Sequence, residues 1–384
     1  MRRKNSKSTR LVRRLAATSG VMLAALGGAA SALGAQDGAL SNRSIGYVIT
    51  DIRWAVYETQ DGKDECPQGL AELGPREQYK LKFPDDGTKR KFADTALAHE
   101  MEIWWPTTAP DRFPYREAAG KTSLGLNLDG KTKPTDFTSP DGEPGIDNQL
   151  FRVIGCLGNY RSGGSLLTEE TNSFKRAKID RMLIELTNVD SLVNDNDVTL
   201  TTYRGLDELV YDALGKNQPG GTQRVELLWG KPLIRQVKGK IVNGVLTTEP
   251  VEFIMPADTR GGANYEKVRD ARFKLKLTPE SADGFIGGYF DVETFYNGRN
   301  RNYSTQHQSY GRQAEQSVYK VLRKYADAYP DAKTGENTAI SGAFAVRMTQ
   351  VFVLHSEKEI AESVPAPATK RLADSSAASV SRTK

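Results

Sequence analysis

Apolar residues recur at every second position over most of this chain, so the elements the pattern predicts are strands. Ala271, Phe273, Leu275 and Leu277 alternate with Arg272, Lys274, Lys276 and Thr278, which is the signature of a strand with one buried face. Phe285–Tyr296 follows as its partner. Ser44–Glu58 alternates as well, but its parity shifts: Ile45, Tyr47 and Ile49 share one face, and Ile52, Trp54 and Val56 share the other. A bulge near Thr50-Asp51 keeps both sets facing one core. Lys178–Thr187, Val198–Tyr203, Val225–Trp229 and Thr338–Leu354 read as further strands, and His99–Trp105 as a short aromatic one. Leu233–Val242 runs into Asn243-Gly244, the dipeptide that suits a two-residue hairpin turn, and Val245–Thr248 returns.

One segment has helical period. Across Arg312–Tyr329, a stripe of Ala314, Val318, Val321, Leu322, Tyr325 and Tyr329 opposes a mostly basic face, and Pro330 ends it. The expected fold class is therefore mainly β, a β-sandwich or jelly-roll-like domain with one amphipathic helix and long loops in its N-terminal half.

Composition changes this picture chiefly at the two ends. Residues 1–35 read as a signal peptide: seven cationic residues up to Arg14, then an apolar run rich in Ala and Gly that ends in small residues. With that leader removed, the formal charge falls from +5 to about −2, which leaves no basic footprint for nucleic acid. Residues 36–356 form a single large β-rich domain with a sub-boundary placed near 161–176. The Ala-, Ser- and Pro-rich stretch 357–384 reads as a disordered tail. The mature chain carries no predicted transmembrane segment, and its expected location is the periplasm or the medium. Cys66 and Cys156, the only two cysteines, are expected to pair in such an oxidising compartment.

Candidate chemistry concentrates in Leu124–Cys156, which reads as an ordered loop clamped to a strand. Asp129, Asp136, Asp141, Glu143 and Asp147 supply oxygens, with glycines between them to turn the chain, and calcium takes six to eight such ligands from flexible loops. The expectation is one Ca2+ here, although the spacing is not that of an EF-hand. Asp291 and Glu293 lie two apart and, on a strand, share a face at the separation of a glycosidase pair; they are weak catalytic candidates. Trp104 and Trp105 offer a stacking platform for sugar if exposed. Gly-rich nucleotide fingerprints, a His-Glu-x-x-His zinc motif and a Gly-x-Ser-x-Gly elbow are all lacking. The functional expectation is an exported, non-catalytic binding or envelope-structural protein, glycan-binding and calcium-stabilised, whose partner is a glycan or another cell-envelope component. The alternative is a carbohydrate-active hydrolase or lyase on a β-sandwich.

Overall fold

The computed structural model describes residues 40, 43–70, 107, 115–164, 181–228, 230–259, 262–300, 315–356, 358 and 360. The strands are β1 (Ile45–Trp54), β2 (Phe137–Thr138), β3 (Pro144–Ile146), β4 (Met182–Thr187), β5 (Asp195–Arg204), β6 (Gly221–Arg224), β7 (Arg235–Val242), β8 (Val245–Thr248), β9 (Val251–Thr259), β10 (Gly262–Leu277), β11 (Ser281–Asp291), β12 (Ala328–Pro330) and β13 (Asn337–Leu354). Three α-helices accompany them: α1 (Leu150–Ile154), α2 (Val292–Asn300) and α3 (Glu315–Tyr325).

Eight strands close on themselves in the order β1-β4-β5-β7-β8-β10-β11-β13, with β13 returning to β1 and every neighbouring pair antiparallel. The mainly β expectation holds, but the architecture is a closed barrel with extra strands rather than two packed sheets. β9 extends β10 as an arm, β12 lies beside the start of β13, and β6 runs parallel to its end.

The interior is a packed core. Tyr47, Ile49, Ile52 and Trp54 of β1 meet Ile184 and Leu186 of β4, Phe273 and Leu275 of β10, and Phe344, Val346 and Met348 of β13. A barrel of eight strands is just wide enough for side chains to fill it. The register of β1 against β13 slips between Ile49 and Asp51, which is the bulge that the parity shift predicts. Asn243 and Gly244 both take positive φ, 51° and 77°, as the mirror-image hairpin turn requires.

The outer wall has the opposite character, with Arg53, Lys238, Lys240, Lys276 and Arg347 exposed. Such a wall faces water, since a barrel in lipid needs an apolar outward band. Among the described residues, no helix is long and apolar enough to cross a membrane. One part of the wall is apolar and covered: Val48, Leu183, Tyr203 and Val351 pack under a strap, the segment 206–228 that follows β5 and includes β6, which contributes Leu209, while Ile360 joins from beyond β13.

One end of the barrel is closed by the three helices, where Trp54 meets Phe344, Phe290 and Phe295 at centroid distances of 4.0, 5.2 and 5.7 Å. The Cys66–Cys156 disulfide ties an early loop to the residue pair following α1, with 5.6 Å between Cα atoms. Beside it, the buried ion pair of Arg161 Nη2 and Glu65 Oε1 closes at 2.6 Å, and Glu65 also accepts from Thr59 N and Oγ1.

Several expected elements shift. The mostly apolar run after Asn148 folds as α1 and not as a strand, because a run this short does not separate helix from strand by itself. The amphipathic helix stops at Tyr325, since Asp327 and Tyr329 are drawn into pairing beside β13; Arg312 and Ala314 lie outside the described residues. Strand β11 ends at Asp291, and the expected strand residues after it form α2. The strand expected at Val225–Trp229 lies earlier, as β6, with Val225 making only an isolated bridge to Gly205. The signal peptide, His99–Trp105 and most of the 357–384 stretch lie outside the described residues.

Replacing both cysteines with alanine is expected to lower unfolding free energy by about 4 kcal/mol, given a closed loop of 90 residues. Urea denaturation of the double variant measures this. A loss below about 1 kcal/mol would show that the surrounding hydrogen bonds hold the loop without the disulfide.

Candidate functional site

The sequence-derived loop lies at the helix-capped end. Gly145 lets β3 approach it closely: its φ is +79°, and a Cβ there would sit 2.4 Å from the Lys131 carbonyl oxygen. Hydrogen bonds from Asn127 Nδ2 to Lys131 O (2.8 Å) and from Arg272 Nε to Leu128 O (3.1 Å) then fix the loop to itself and to β10.

The five loop acids do not converge on one point. Asp147, 1% exposed, accepts from the backbone N–H of Leu128 at 2.7 Å. Asp129 binds Lys133 Nζ at 2.5 Å, and the same ammonium lies 4.0 Å from Asp147 Oδ1. Asp136 accepts from Lys133 N at 2.6 Å. Glu143 pairs with Lys274 at 2.5 Å, and Asp141 is exposed in the turn before Gly142. Among the described residues, no three His, Cys, Asp or Glu side chains are grouped to hold a metal ion. Lys133 occupies the position between carboxylates that a cation would take.

The electrostatics follow from this placement. Burial, then the neighbouring Asp129 and Asp136, push the Asp147 carboxyl up to about 6. Burial also acts to raise Asp129, but hydrogen bonds from Lys133 and Lys131 outweigh it and hold that carboxyl below its ordinary value. Opposite shifts in adjacent acids are the pattern of an acid–base pair. Asp147, however, is sealed from any substrate.

Asp291 and Glu293 are not strand neighbours on one face. Asp291 ends β11 and caps α2, accepting from Thr294 N and Oγ1 at 2.9 Å each, while its other oxygen receives Arg269 Nη2 at 3.1 Å. Glu293, inside α2, accepts from the Tyr319 hydroxyl of α3. Capping and helix-to-helix bonding account for both residues. Trp104 and Trp105 lie outside the described residues.

Arg269 leads to a rim that the sequence reading missed. The β10–β11 register slips between Arg269 and Arg272, which puts Asp270 at a φ of 48°. Tyr329 of β12 has a φ of 57°, uncommon for a bulky residue, and its hydroxyl donates to Asp270 Oδ2 at 2.6 Å. The Arg269 guanidinium lies 4.8 Å over the Tyr329 ring, and the Tyr289 ring meets it edge-on at 5.8 Å. Behind them, Asp327 accepts from Ser341 N at 2.8 Å and Ser341 Oγ at 2.7 Å. The rim thus joins two phenols, an arginine and several carboxylates to the Asp147–Lys133 loop. No spacing rule brings Asp270, Tyr289 and Tyr329 together; only the bulge and the β12 pairing do.

A second cluster sits on the outer wall, where Glu185 Oε2 accepts from Tyr203 OH at 3.1 Å and lies 2.7 Å from His355 Nε2. With Tyr203 and Glu185 both buried, it ties the end of β13 to β4 and β5.

No protein-family model, curated protein or solved structure matches this chain.

The raised Asp147 gives a pH prediction whose sign is opposite to that of an ordinary ion-paired acid. Folded protein binds this proton more tightly than the unfolded chain, so stability should rise as pH falls from 7.5 through 6. Glu65 works the other way. Burial acts to raise it, but bonds from Thr59 and Arg161 bring it down to about 2, and its contribution is lost as pH drops from its ordinary 4.5 toward that value. Melting curves should therefore peak near about pH 5. Lys133→Met should cost about 2 kcal/mol at pH 7.5 and less at pH 5, where Asp147 is protonated. A chelator should leave the wild-type melting temperature unchanged, whereas a fall on chelation would restore a metal to the loop.

Asp291→Ala should lose the helix cap and about 1 kcal/mol of stability. Thermal unfolding reads this directly.

Proposed function

We propose that this chain is an exported, non-catalytic binding or envelope-structural protein whose partner is a glycan or another component of the cell envelope. The observation that carries the reading is the distribution of exposed apolar side chains. Among the described residues, nine large ones are exposed, and seven of them (Leu206, Val210, Tyr211, Leu214, Leu228, Phe352 and Leu354) belong to the strap over the outer wall and the β13 segment paired with it. Leu214 is 94% exposed and Leu228 is 80% exposed. Concentration of this kind marks an interaction surface.

Other features support the same reading. The disulfide is compatible with an oxidising compartment, as the leader-like N-terminal sequence implies. The acids with catalytic spacing are sealed, capping a helix or bonded to a tyrosine. In the loop, Lys133 pairs with Asp129 and Lys274 with Glu143. The alternative is a carbohydrate-active hydrolase or lyase, and an assay of turnover decides between the two.

Mature protein should bind isolated cell-envelope fragments, and Leu214→Ser with Leu228→Ser should weaken that binding about tenfold or more, since each leucine buried on contact is worth about 1.5 to 3 kcal/mol. The melting temperature should not fall, because both side chains are exposed. Polysaccharide incubated with the protein should yield no product. Product release that Asp291→Asn with Glu293→Gln abolishes would establish the hydrolase instead.

A further inference from the structure

Among the groups gathered at the rim, Tyr289 is the one whose polar atom has no role in the fold. Its ring packs against Tyr329, yet among the described residues its hydroxyl makes no hydrogen bond, although Asp147, Asp327, Asp129 and Asp270 all bear on it. Burial, then those carboxylates, push the phenol far above its ordinary value, so the hydroxyl stays a donor at every physiological pH. Around it, acceptor capacity is ample. A carboxylate oxygen has two lone pairs, and each oxygen of Asp327 uses one on Ser341. Asp270 is exposed and receives the Tyr329 hydroxyl on one oxygen.

We propose that this rim is a contact site for a neutral saccharide: the Tyr289 hydroxyl donates to a sugar oxygen, Asp270 and Asp327 accept from sugar hydroxyls, and the Tyr289 and Tyr329 rings carry an apolar sugar face. The proposal rests on the binding-protein reading above and names the ligand class. Charge selects that class. Four carboxylates (Asp129, Asp147, Asp270 and Asp327) bear on Tyr289, and the nearby cations Arg269 and Lys133 are already ion-paired, so an anionic uronate or phosphate is disfavoured. An ammonium ligand offers only donors and leaves the Tyr289 hydroxyl without an acceptor. A sugar hydroxyl donates and accepts at once.

The test is an array of neutral hexose and N-acetylhexosamine oligosaccharides, with uronate-bearing ones alongside, probed with the mature protein and followed by calorimetric titration of the best neutral binder. Neutral oligosaccharides should bind and uronates should not. Tyr289→Phe should lose about tenfold in affinity with an unchanged melting temperature, because the hydroxyl makes no hydrogen bond among the described residues. Asp327→Asn should weaken binding comparably, with its stability change read separately by melting. Neutral binding that survives both substitutions undiminished places the sugar elsewhere and overturns the proposal. Absence of neutral binding, or binding confined to uronates, overturns it too. The broader reading is judged independently by the envelope-binding assay on the strap variant, so failure of one does not entail failure of the other.

Discussion

Everything in this fold depends on β13 pairing with β1 on one side and β11 on the other, because that double pairing turns an open sheet into a closed one. Closure removes the free edges of the eight strands but fixes the register of each. Side chains alternate with a period of two, so a one-residue slip would send an entire strand's apolar set into water. The bulge at Thr50 is where this constraint becomes visible. Without it, either Tyr47 and Ile49 or Ile52 and Trp54 would leave the core.

The same closure decides what lies outside. A wall that must face water is charged on β7 and β10, and where it is apolar, around Val48, Leu183 and Val351, other chain has to cover it. The strap and Ile360 provide that cover. Their own outward residues then become exposed, which is why the apolar side chains collect there rather than over the whole barrel.

Strands with one buried face were legible in the sequence because alternation reports burial directly: β1, β5, β10 and the Asn243-Gly244 hairpin lie where the pattern places them. What could not be read was closure, since alternation records that a strand has two faces and is silent on whether the opposite wall is a second sheet or the same one. The candidate loop shows a different limit. Its acids were visible and were read as ligands for calcium, whereas the position of Lys133 beside Asp129 and Asp147, in the same stretch, was not visible. A lysine three residues from Asp136 and four from Asp129 looks like ordinary surface charge until β2, β3 and the Arg272 contact fold the loop back on itself.

The rim was illegible for a related reason. Asp270 and Tyr329 adopt left-handed backbone, which costs a non-glycine residue about 1 to 3 kcal/mol, and nothing in their local sequence asks for it. Their conformations are held from outside, Asp270 by the slip in the β10–β11 ladder and Tyr329 by the pairing of Ala328 and Pro330 with β13. The hydrogen bond between the two then joins one strained position to the other. Because both rest on strands of the closed sheet, relaxing either would require breaking a ladder. The cluster of Tyr289, Tyr329, Arg269 and Asp270 is therefore positioned by paired strands and not by a loop. Preorganisation of that kind lowers the ordering cost of binding, and it favours recognition by contact over chemistry that needs a mobile acid or base.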